Sequence, residues 1–199
     1  MEQARLGTWL RRLRGTATIV YIGALCVAVA LLVLAFIPRS PVTLQLPTAS
    51  LSRLDALGGV TQGVLVDPGG GIVFKVEDPS LGQRMLYLAT VLPGALLVAW
   101  IARRMEQLLQ TAQDSDPFTA RTARELTSLA KITAFGGVGV WAVGVGAKAV
   151  LSATMLDSGR AVGPHQWPLW WLAVGLIFAA FGQLVARGVA MRAELDAVI

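Results

Sequence analysis

The sequence predicts an all-α transmembrane fold: a four-helix membrane bundle with a small extracytoplasmic β-rich loop subdomain between helices 1 and 2. Three observations lead there. Four apolar stretches, 16–37, 83–103, 132–155 and 168–187, each reach the length of about twenty residues that a helix needs to cross a bilayer. Hydrophobic residues make up 55% of the 199 residues and charged ones only 15%, with a mean hydropathy of +0.63, so too few charges exist to clothe a water-facing surface. The segment 38–82 carries strand and hairpin signals, among them the apolar–polar alternation of Val42 to Leu46, where the other long stretches run continuously apolar.

The first element is a basic leader, 1–15, carrying Arg5, Arg11, Arg12 and Arg14. The run behind it, Ala17 to Ile37, exceeds the roughly 7 to 15 apolar residues of a cleaved signal, and Ala35-Phe36-Ile37-Pro38-Arg39 has no small-x-small cleavage pattern. It therefore reads as a retained anchor, the first span. Cys26, the single cysteine, lies inside it and rules out an intramolecular disulfide.

In the outer loop, Val42 to Leu46 alternates, and Gly63 to Val66 and Ile72 to Val76 flank Asp67-Pro68-Gly69-Gly70-Gly71. β-Branched residues suit a pleated surface, and the proline and glycines supply the backbone of a reversal. A β-rich lid with a hairpin at Pro68 is the expectation.

Pro93-Gly94 in the middle of the second span, 83–103, predicts a kink, because proline deletes a backbone bond and glycine relaxes the next turn. The inner connection, 104–131, reads as helical. The second helix is expected to run through Ala112, with Leu108 and Leu109 on one face, until Asp114-Ser115-Asp116-Pro117 stops it. The next helix has two competing starts: Asp116 as cap with Pro117 in the first turn, or Thr119 as cap with Phe118 just outside.

Small residues organise the last two spans, since helices associate in lipid by close approach. Gly175, Ala179, Gly182, Ala186 and Ala190 form a stripe on the fourth, 168–187. Its expected partner is the third span, 132–155, with Gly136, Gly137, Gly139, Gly144, Gly146 and an Ala142-x-x-x-Gly146 pair. This is read as packing within the chain, with a homo-oligomer left open. Lys148 stands sixteen residues beyond Ile132, about 24 Å along the helix, so it snorkels to the outer boundary. Gln183 is expected to make an interhelical hydrogen bond. Trp167, Trp170 and Trp171 mark the outer interface where Pro168 opens the fourth helix.

Charge sets orientation. Arg103 at the end of the second span, Arg104, Arg121, Arg124 and Lys131 in the connection, Arg187 at the end of the fourth span and Arg192 in the tail 188–199 join the four arginines of the leader. Eleven cations thus stand on one side against five on the other, Arg39, Arg53, Lys75, Arg84 and Arg160, which places both termini in the cytoplasm. The formal charge of +5 is therefore a topology signal, and no direct nucleic-acid binding is expected.

Catalytic chemistry has no foothold here. His165, the only histidine, lies in the short outer loop 156–167 with Asp157 as its nearest candidate partner, and no second histidine or cysteine completes a metal site. No nucleophile elbow, phosphate-binding glycine loop or zinc-protease motif occurs. The expectation is no enzyme: no catalytic residue, no cofactor and no metal.

Asp116-Pro117-Phe118-Thr119, the arginine-rich helix after it, the Leu129-Ala130-Lys131-Ile132 entry to the third span, and the closing Phe181 to Glu194 carry a resemblance to a bacterial multi-pass membrane family, domain of unknown function 2975. It covers the whole four-span layout, with a shorter and more apolar end, Leu195 to Ile199, than the family's usual tail. The resemblance implies a bacterial plasma-membrane protein encoded beside a small helix-turn-helix regulator, which it signals to or sequesters. The contact surface would then be Arg103 to Lys131 with the tail from Arg187. Two other roles compete: a small transport, permeation or immunity-type membrane protein, and a structural one in which the lid binds an envelope partner.

Overall fold

The four apolar stretches become the middles of four helices longer than the stretches themselves. The computed structural model describes residues 2–37, 42–46, 72–76, 78–114, 119–155 and 168–196. Its helices are α1 Glu2–Phe36, α2 Leu81–Asp114, α3 Ala120–Met155 and α4 Leu169–Asp196. All four are long and apolar enough to cross a membrane. Thirty-five residues in α1 rise about 50 Å, well beyond a hydrocarbon core of about 30 Å. The excess is the leader, which continues the span as helix because its Glu, Gln, Ala, Leu and Arg residues are good helix formers. The tail does the same in α4, to Asp196.

Helix starts follow capping chemistry. Ser80 and Gln83 form a reciprocal box: Gln83 N–H donates to Ser80 Oγ at 3.3 Å, and Ser80 N–H donates to Gln83 Oε1 at 2.9 Å. Helix α2 accordingly begins at Leu81, two residues before the apolar stretch. At α3 the structure uses Thr119, whose Oγ1 accepts the Thr122 N–H at 3.2 Å; the alternative cap, Asp116, lies outside the described residues. The Pro168 carbonyl accepts the Leu172 N–H at 3.2 Å and opens α4. Helix α2 runs unbroken through Pro93.

Two five-residue strands, β1 Val42–Leu46 and β2 Ile72–Val76, pair antiparallel with Val42 opposite Val76 and Leu44 opposite Phe74. The pairing differs from the sequence expectation, which set Gly63 to Val66 as the partner of Ile72 to Val76. Residues 63–66 lie outside the described residues, as do Pro68 and its glycines. Among the described residues the β structure is this single ladder, less than the β-rich lid the sequence suggested.

The chain divides into two compact units. The first comprises Met1–Cys26, Ala95–Gly139 and Pro168–Ile199; the second comprises Val27–Gly94 and Val140–Trp167. On α2 the division falls directly after Pro93-Gly94, and all of α4 belongs to the first unit.

Within the first unit, the buried side chains are mostly small: Ala99, Ala102, Ala123 and Ala130, with Leu108 and Leu129. Small residues let backbones approach, which is the main attraction available to helices in lipid. The α4 stripe meets α3, but of the glycines expected there only Gly137 takes part. A Cβ on Gly175 would stand 3.0 Å from Ala134 Cβ and 3.1 Å from the Ala130 carbonyl oxygen. One on Gly182 would stand 3.0 Å from Thr127 Oγ1. The meeting surface on α3 is therefore Ala123, Thr127, Ala130 and Ala134, because α4 packs on the amino-terminal half of α3. Gly137 does join it, filled by the Trp171 side chain. Trp171 thus packs between helices, where the sequence suggested an interface anchor. Gly136 faces Leu97 of α2, and Gly139 faces open space.

In the second unit, Leu151 and Ser152 are fully buried, and Ala28, Leu88 and Ala147 are buried too. Gly94 faces Val140, and Gly144 lies near the Thr90 carbonyl. Ala142 is exposed and Gly146 open, so the Ala142-x-x-x-Gly146 pair makes no interface among the described residues.

The outward surface decides the solvent. Phe135 is 77% exposed, Trp170 75% and Leu176 72%. Each such side chain would forfeit about 2 kcal/mol in water, whereas hydrocarbon solvates it at no such cost. The protein is a multi-pass membrane protein.

Candidate functional site

Polar side chains in the first unit concentrate where α2 ends and α3 begins. On α2, Arg103 and Glu106 stand three residues apart, and the guanidinium Nη1 donates to Glu106 Oε2 at 2.8 Å. Glu106 Oε1 lies 3.1 Å from the hydroxyl of Thr18 on α1. That hydroxyl is also 3.1 Å from the Arg14 carbonyl, so its one proton is shared between two acceptors. Arg103 additionally sits 5.5 Å over the Tyr21 ring. One carboxylate and one guanidinium, paired with each other on α2, thereby tie α1 to α2 through a hydrogen bond and a cation–π contact.

Two cavities lie among the described residues of the first unit. The larger, about 380 Å³, is lined by Ala123, Arg124, Thr127, Ser128 and Lys131 of α3 and by Ala186 of α4. The smaller, about 100 Å³, is lined by Trp100, Arg104 and Leu108 of α2 and by Glu125, Ser128, Leu129 and Ile132 of α3. Arg104 lies 5.3 Å over the Trp100 ring, and Arg121 pairs with Glu125 at 3.0 Å. Arg124 directs its Nε to the Ala120 carbonyl at 3.2 Å. Four of the six residues lining the larger cavity carry a cation or a hydroxyl, and no carboxylate is among the described residues that line it. Such a lining can hold an anion.

Three residues flagged in the sequence do not join this site. Lys148 is exposed on α3 in the second unit, with no ion pair among the described residues. Gln183 is exposed on α4 and makes no interhelical hydrogen bond among the described residues, because Gly182 beside it occupies the contact. His165 and Asp157 lie outside the described residues. No group of three metal-ligating side chains forms among the described residues.

Three features escaped the sequence reading. Arg84, counted there only as an outer cation, donates to the Ala35 carbonyl at 3.3 Å, the Ile37 carbonyl at 3.0 Å and the Pro79 carbonyl at 3.2 Å. It satisfies the carbonyl end of α1, and nothing local in the sequence announces a partner 49 residues away. Thr133 is fully buried, and its Oγ1 has no partner among the described residues. Arg124, Thr127, Ser128 and Lys131 are spaced to share one helix face, a signal the sequence carries and the reading above does not use.

Comparison with protein-family models, curated proteins and solved structures finds no match to this chain.

Proposed function

We propose that this chain is a non-enzymatic protein of a bacterial plasma membrane that holds or signals to a cytoplasmic helix-turn-helix regulator. Both termini and the α2–α3 turn would face the cytoplasm. The carrying observation is the gathering of Arg103, Arg104, Glu106, Arg121 and Glu125 at the end of α2 and the start of α3. The resemblance carried by Asp116-Pro117-Phe118-Thr119 and the closing Phe181 to Glu194 supports the regulator as partner, and the excess of cations on that side supports the orientation. A transport role has less support: Lys148, the charged candidate inside a span, lines neither cavity described above.

Deleting the whole connection would remove the end of α2 and the start of α3, so charge reversal is the sharper test. Arg104→Glu with Arg121→Glu should release a fluorescently tagged regulator, encoded beside this gene, from the membrane into the cytosol. Unchanged membrane recruitment by the double variant rejects this docking surface. A regulator that stays cytosolic with the unaltered protein rejects the proposal as a whole.

A further inference from the structure

The larger cavity has a chemistry that docking does not use. Arg124, Thr127, Ser128 and Lys131 follow one another at intervals of three, one and three, so they share one face of α3 over about 10 Å of its axis. Both cations are exposed, and neither has an acidic partner among the described residues. The nearby carboxylates are engaged elsewhere, Glu125 with Arg121 and Glu106 with Arg103. Thr127 gives its hydroxyl proton to the Ala123 carbonyl at 2.9 Å, while Ser128 makes no hydrogen bond among the described residues and is free to donate. Ala123 and Ala186 leave the space between open. Helix α4, which supplies Ala186, is apolar and exposed at Leu176, Ile177, Phe181 and Leu184.

We propose that this groove binds the phosphate of an anionic phospholipid headgroup. Arg124 supplies its terminal N–H donors from one end, Lys131 its ammonium from the other, and Ser128 its hydroxyl between them. Lys131 immediately precedes the apolar third stretch, which puts the groove at headgroup depth, and the exposed side chains of α4 solvate the acyl chains. Basic pockets between membrane helices recognise anionic headgroups by this combination of charge and donors. A free phosphate shares the chemistry but gains nothing from α4. The inference is independent of the proposed regulator, since it needs neither Arg104 nor Arg121.

Native mass spectrometry of the full chain, released from nanodiscs containing equal phosphatidylglycerol and phosphatidylcholine, tests it. The unaltered protein should retain phosphatidylglycerol in preference. Arg124→Gln and Lys131→Gln should each lower that preference about fivefold, the worth of one basic side chain near an anionic surface. Arg121→Gln removes the same charge outside the groove and should leave the preference intact. Ser128→Ala should lower it with no change of charge. Equal losses in Arg121→Gln, or no preference in the unaltered protein, overturn the site. Inorganic phosphate is the second probe: failure to displace the lipid supports the headgroup assignment, and displacement at equimolar phosphate overturns it in favour of the free ion. The Arg104→Glu, Arg121→Glu double variant should lose regulator recruitment and keep the phosphatidylglycerol preference, which separates failure of this site from failure of the docking surface.

Discussion

Gly137 and Gly139 are two residues apart on α3 and have opposite surroundings. The Trp171 side chain fills the space a Cβ on Gly137 would need, whereas Gly139 has nothing within 4 Å. Gly137→Ala should therefore destabilise the protein by about 1 to 3 kcal/mol through overpacking against an indole held between two helices. Gly139→Ala should be neutral or stabilising by up to about 1 kcal/mol, since alanine restricts the unfolded backbone. Thermal unfolding in detergent, followed by tryptophan fluorescence, separates the two, and equal effects would contradict the packing of Trp171. Thr133 offers the converse case. Its buried hydroxyl is unpartnered among the described residues, so Thr133→Val, which keeps the shape and removes the polar atom, should stabilise by about 1 kcal/mol in the same assay. The sequence shows five glycines in the third stretch and cannot rank them. Their difference lies in residues of other helices, more than thirty positions away.

Helix ends were partly legible. Ser80-x-x-Gln83 is a capping signature that could have placed the start of α2 at Leu81, and Thr119 was one of two caps read for α3. The partner of the opposite end was hidden. Arg84, from the first turn of α2, reaches the Ala35 and Ile37 carbonyls at the end of α1. Arg84→Ala should cost about 1 to 2 kcal/mol through lost charge-assisted bonds at a helix carboxyl terminus. Arg84→Lys should recover only part, because one ammonium cannot reproduce donors spread along a guanidinium fork. Chemical denaturation of the three proteins in the same micelles measures this order, and full recovery by lysine would show that charge alone matters. Strand pairing shows a similar limit: β2 was read as strand, but its hairpin partner was sought nearby, while the ladder joins it to β1 across residues 47–71.

At the scale of the molecule, orientation rests on the uneven distribution of cations. Cys26 is the single cysteine, so a Cys26→Ser background carrying Glu194→Cys reports which side the end of α4 faces. An impermeant maleimide should label that cysteine only after the cells are opened; labelling in intact cells would reverse the orientation and remove the cytoplasmic docking surface with it. Four spans could be read from sequence alone because hydropathy and length are properties of consecutive residues, and a bilayer demands about twenty apolar residues in each helix wherever the helix packs. Which faces meet could not be read that way. The α4 stripe lies on Ala123, Ala130 and Ala134 of α3, Trp171 enters at Gly137, and Arg124, Ser128 and Lys131 are left to line an open groove. These are matters of axial register between helices, and register is settled by the sum of many small contacts made only once the helices stand side by side.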